Sequence, residues 1–139
     1  MSECTNVGVK YFSGTATYTK TFEWKPEPAV SQQKAEIWLE LGEVHALAEV
    51  KLNGHDLGTA WQPPYRVNVT EALEPGTNAL EIRVANLWRN RMIGDAALPT
   101  AERFAWSSSA NFSADTALPK SGLIGPVMIR SEVVALFEP

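Results

Sequence analysis

Trp61, Trp88 and Trp106, together with Arg89, Arg91 and Asp95, fall where this chain shows no regular pattern, and any chemistry it performs would start from them. An exposed indole offers a rigid apolar face. A guanidinium and a carboxylate close together can each bind a ligand in a bidentate way. These types suit holding a ligand better than transforming one. Tyr65 closes the corner that Trp61 and two prolines begin, and His55 follows the Asn53-Gly54 pair, so both join the candidate set. Each also has a plainer role. The rings can fill a core, Arg89, Arg91 and Asp95 can form an ion-pair knot that holds a loop, and His55 can be a solvated hairpin residue.

The elements that must position these residues are strands. Thr15 to Trp24 alternates, with Tyr18, Lys20, Phe22 and Trp24 on one face and threonines and Glu23 on the other. Ala35 to Leu41 sets Ile37, Leu39 and Leu41 against Glu36, Trp38 and Glu40, and Ala46 to Leu52 continues the pattern. Trp24 and Trp38, being on regular strands, read as core or sheet-face residues. Asn53-Gly54 supplies the two positions that tolerate φ > 0 in a type I′ turn, so residues 55–58 should pair back on 46–52. Tyr65, Val67 and Val69 alternate, Thr70 offers an N-cap to a short helical turn, and Asn78 to Leu87 forms a long strand with Leu80, Ile82 and Val84 inward. Residues 126–137 give one or two closing strands, whereas 88–125 shows no sustained period. A long irregular stretch in a compact domain is usually functional, and this one carries five of the six residues named first.

Composition supports the same class. The chain has 139 residues, 45% hydrophobic and 20% charged, which fits one soluble domain over residues 1–139. Short strands, frequent turn signals and no long helical pattern argue for an all-β sandwich or barrel. A net charge of −4 leaves no basic patch for phosphates, so nucleic acid is not an expected partner. No apolar run is long enough for a bilayer, and the N-terminus MSECTNVGVKYF lacks a signal-peptide pattern, so neither a membrane span nor a leader is expected in this chain. One cysteine and two histidines give no metal site by spacing, and no cofactor motif is present.

The run AEVKLNGHDLGTAW, followed by PPYRVNVTEALEPGTNALEIRVANLW, resembles the sugar-binding jelly-roll domain of family 2 glycosidases. YFSGTATYTKTFEW, NLWRNRMIGD with LP beyond it, and SGLIGPV resemble more narrowly the C-terminal galactose-binding-like domain of bacterial family 106 α-L-rhamnosidases. The likeness spans roughly residues 11 to 130. It implies a jelly-roll β-sandwich that accompanies a catalytic domain, contacts carbohydrate in many relatives, is usually not itself catalytic, and works in a periplasmic or extracellular setting. In that light the candidate ligand site is Trp61, Tyr65, Trp88, Arg89, Arg91, Asp95, His55 and Trp106, with indoles stacking on a pyranose. The alternatives are a structural accessory domain without ligand, and a small glycosidase using a pair from Asp95, Glu102 and Asp115. Asn68 stands where the family block usually has Asp.

Overall fold

A computed structural model describes residues 1–26, 35–108 and 112–133. A four-residue helix α1 (Val7–Lys10) precedes strands β1 (Thr15–Trp24), β2 (Ala35–Glu40), β3 (Glu43–His45), β4 (Leu47–Leu52), β5 (His55–Ala60), β6 (Arg66–Asn68) and β7 (Gly76–Ala85). Helix α2 (Arg89–Ala96), a 3-10 turn (Thr100–Glu102) and strands β8 (Gly122–Gly125) and β9 (Met128–Val133) follow. One sheet has the order β1-β7-β4-β5 and the facing one β6-β2-β9, while β3 and β8 form a small ribbon. Their inner faces enclose the core, with Ala48, Val50 and Leu52 of β4 and Leu80, Ile82 and Val84 of β7 meeting Leu39 of β2 and Val67 of β6. This is the all-β sandwich that alternation and turn chemistry imply.

The hairpin is set by its turn. Asn53 and Gly54 both have positive φ (51° and 83°), and Leu52 pairs with His55, as a type I′ turn requires. The return strand runs on to Ala60, beyond Gly58. Asn53 also ties the tip to the start of β7: its backbone N–H donates to Ala79 O (2.9 Å) and its side-chain oxygen accepts from Ala79 N (2.9 Å). Asn78, fully buried, is satisfied at both polar atoms of its side chain. It accepts from Asn53 Nδ2 (2.7 Å) and Glu74 N (3.0 Å) and donates to Glu74 O (2.7 Å) and Gly76 O (2.9 Å). A buried amide with all its bonds made fixes one register without leaving an unpaired group.

Three details differ from the sequence reading. Thr70 does not cap the 69–73 turn, because its hydroxyl accepts from Ile37 N (2.8 Å) and so ties that turn to β2. The segment 88–125 is not patternless, since it contains α2, the 3-10 turn and β8. Periodicity misses α2 because it buries Asn90 and Asp95, with Ile93 and Gly94, where a search for period looks for apolar side chains. Strand β3 is separate from β4 and pairs with β8. Asn68 in place of Asp costs nothing locally, as its side-chain oxygen accepts from Thr70 N (2.9 Å), a turn that either residue makes. Of the closing segment, β9 is present to Val133, and 134–137 lie outside the described residues.

Candidate functional site

Strand register brings the site together. Thr15 pairs with Ala85 at one end of the β1–β7 ladder, and Asn86 N donates to Gly14 O (2.9 Å) just beyond it. The segment before β1 and the segment after β7 therefore leave the sheet side by side, which sets Tyr11, Phe12 and Ser13 next to Trp88 and Arg91. Two helices lock that arrangement. Asn6 caps α1 by accepting from Gly8 N (2.9 Å), and α2 approaches so closely that a Cβ on Gly94 would lie 2.5 Å from Cγ of Tyr11. Only glycine allows this contact. Asn90 anchors the other side of α2 by donating to Pro119 O (3.1 Å).

A third wall comes from residues 104–106, and Asp95 holds it. Asp95 is 1% exposed. One oxygen accepts from Arg91, one helical turn earlier, and the other accepts from the backbone N–H groups of Phe104 (3.0 Å) and Ala105 (2.7 Å). Burial alone would push this carboxyl up, but the bonds from Arg91 and the Ala105 and Phe104 amides outweigh it and hold the group below the ordinary carboxylate range. Arg91 in turn lies 4.8 Å from the centre of the Phe104 ring.

What results is an open cleft of about 490 Å³ lined by the 11–13 segment, Trp88, Arg91 and residues 104–106. Three of its rings face water: Trp88 is 74% exposed, Phe104 82% and Trp106 77%. The cleft unites three of the residues singled out from sequence, Trp88, Arg91 and Trp106. Asp95 is the buried support beneath it, which is the ion-pair-knot role with Arg91 as its partner. Tyr11, Phe12 and Phe104 were not anticipated. The adjacent aromatics before Ser13-Gly14 were a usable signal, but no sequence spacing relates residue 11 to residue 88.

The other candidates lie elsewhere. Trp61, 66% exposed, follows β5, and Tyr65 packs against the core with its carbonyl accepting from Leu41 N (2.8 Å). His55 lines a separate, polar cleft with Glu36, Asp56, Asn68 and Glu71. Arg89 is exposed on α2 and does not line the aromatic cleft. Of the carboxylates, Glu102 and Asp115 are exposed and line neither the aromatic cleft nor the smaller hollow beside it between Met92, Asp95, Arg103 and Phe112, while both oxygens of Asp95 are engaged. Trp24 packs on the core, and Trp38 lies on β2 under the Arg66 guanidinium, 4.3 Å from its ring centre. Among the described residues, no three His, Cys, Asp or Glu side chains gather as metal ligands, and no helix is long and apolar enough to cross a membrane.

Comparison with known proteins bears on this arrangement. Residues 6–121 match the family described as glycosyl hydrolase 2 galactose-binding domain-like. A protein of Formosa agariphila named "Putative beta-glucuronidase" is 39% identical over 148 aligned residues, covering 90% of this chain and 13% of that protein. The structure of a rhamnosidase from Novosphingobium sp. PP1Y superposes with a TM-score of 0.82 at 44% identity, covering 94% of this chain and 12% of the rhamnosidase. The chain thus spans a small fraction of each relative's length.

Proposed function

The chain belongs to the galactose-binding domain-like family of glycosyl hydrolase 2, and from that premise we propose that residues 1–139 form one carbohydrate-binding accessory module of a larger glycoside hydrolase. The sugar site is the cleft of Trp88, Arg91, Phe104 and Trp106. The observation that carries the reading is the exposure of three aromatic rings around one cleft on a support made of buried polar groups. Rings presented this way stack on the CH-rich face of a pyranose, and stacking supplies most of the affinity. Hydroxyls give up water on binding and gain little net energy per hydrogen bond, so Arg91, Ser13 and Tyr11 add selectivity more than strength. The module is a binder and not a catalyst. Among the described residues, the buried carboxylate beside the cleft, Asp95, is committed to Arg91 and two amides, and a general acid needs a proton it can give.

The test is a glycan array followed by calorimetric titration of the hits. Dissociation constants between roughly 1 μM and 1 mM are expected, with Trp88→Ala and Trp106→Ala each weakening binding about tenfold, or about 1.4 kcal/mol. Hits that bind both variants as well as the unaltered protein place the sugar elsewhere and remove this reading. A second reading has one observation in its favour: the chain covers only 12–13% of its relatives, and exposed rings of this size also suit packing against another domain. In that case the isolated module binds no glycan, and Trp88→Ala in a full-length enzyme loosens the attachment of the domains.

A further inference from the structure

Resting on the sugar reading above, we propose that the cleft takes an uncharged pyranose and discriminates against the corresponding uronate. Among the described residues that line the cleft, Arg91 is the one charged side chain, the rest being glycine, alanine, serine and aromatics. Its positive charge is already matched. The guanidinium donates to Asp95, lies over the Phe104 ring, and has its Nε sealed from solvent, so a ligand in the cleft does not reach that atom. A carboxylate brought to the same guanidinium meets the negative charge of Asp95 just behind it. Where it lies against Trp88, Phe104 and Trp106 it also gives up part of its water without gaining an uncommitted counter-ion, and partial desolvation of an unpaired charge costs free energy.

Among the described residues, other cations stand near: exposed Arg89 follows Trp88, exposed Arg103 lines an adjoining hollow that shares Ala105 and Trp106 with the cleft and donates through Nε to Leu98 O (3.0 Å), and Lys10 lies beside Tyr11. Charges as open to water as the two arginines are screened by salt. The Lys10 ammonium lies 5.5 Å from the centre of the Tyr11 ring, at the margin of the cleft. A lysine only partly withdrawn from water attracts an anion weakly and is screened by salt. The net charge of −4 acts in the opposite sense, against any anionic ligand. A neutral ring has none of these difficulties. It keeps its stacking face and places its hydroxyls on Arg91, Ser13 and Tyr11 without displacing the pair with Asp95.

The experiment compares matched probes that differ only at C6: the methyl glycosides of glucose and galactose against methyl glucuronide and methyl galacturonide, titrated calorimetrically into the unaltered chain. The neutral member of each binding pair should win by about tenfold or more. In Asp95→Asn, checked for an unchanged circular dichroism spectrum, the discrimination should shrink about threefold or more because Arg91 is released. A uronate that binds as tightly as its neutral counterpart, or more tightly with an advantage lost in Lys10→Met, overturns the inference and leaves the sugar reading standing. Unchanged discrimination in folded Asp95→Asn overturns the role given to the Arg91–Asp95 pair. If Asp95→Asn does not fold, the unaltered chain decides alone. No binding by any probe or by the glycan array overturns both readings.

Discussion

The sandwich interior and the aromatic cleft place their side chains in opposite ways. Between the sheets, Val50, Ile82 and Val84 are sealed from water and polar groups face out, except for Asn78 with all its bonds made. Around α2, the sealed groups include the polar Asn90 and Asp95 beside Ile93 and Gly94, and the groups facing out are Trp88, Phe104 and Trp106. In the first region apolar burial holds the fold. In the second a few directed polar contacts hold apolar rings in the solvent, where burial gives them no stability in this chain. Directional bonds suit that task because they fix geometry without enclosing the groups they position.

Substitutions that test the two regions should therefore behave differently. The largest effect is expected from Ile82→Ala, which opens a cavity between the sheets and should lower stability by about 3 kcal/mol or more in urea unfolding. Asp95→Asn should come next, at about 2 to 3 kcal/mol, because it leaves a partly buried guanidinium uncompensated and sets a new NH2 donor against either that guanidinium or the two amide donors. This loss should depend on pH. A carboxyl held below its ordinary range contributes fully above the unfolded value of about 3.9, and the contribution fades as pH falls through the folded value. The melting-temperature gap between the native chain and Asp95→Asn should be constant from pH 6 to 8 and close below about pH 4. A gap that persists in acid would mean the carboxylate charge is not what holds residues 104 and 105.

Gly54→Val should cost about 1 to 2 kcal/mol. The space beside Gly54 is open, so the whole effect is the strain of a β-branched residue at φ +83°. An unaltered melting temperature would contradict the turn. Smallest of all should be Trp88→Ala, within about 0.5 kcal/mol, as for other exposed substitutions. If it instead unfolds the chain as Ile82→Ala does, the contrast between the two regions disappears and Trp88 belongs to the core.

The strands were legible in the sequence wherever one face is apolar and the other wet. Thr15–Trp24 is read to the residue, and β2, β4 and β7 are read to within a residue or two, because alternation marks a half-buried strand directly. The Asn-Gly turn is equally local, since it needs nothing beyond two residues that accept positive φ. The ribbon of β3 and β8 was not legible. Its few residues fit together because Gly42 packs against the Gly125 backbone, with room for no side chain, and a contact across some eighty positions leaves no pattern in either segment.

The cleft divides along the same line. Its residue types could be named from sequence, since a stretch that mixes tryptophans, arginines and an aspartate without periodicity is not built as core. The Arg91–Asp95 pair was also within reach, being four residues apart on what proved to be a helix. Which residues share the cleft was decided only by the tertiary structure. The β1–β7 register carries Tyr11 and Phe12 to Trp88, and Asp95 draws the 104–106 backbone across, while Trp61 and His55, similar in type, are carried elsewhere. Alternation, turn preference and residue chemistry are properties of neighbours along the chain. A binding site is a property of neighbours in space, and here those neighbours are joined by strand pairing, one glycine contact and one buried carboxylate.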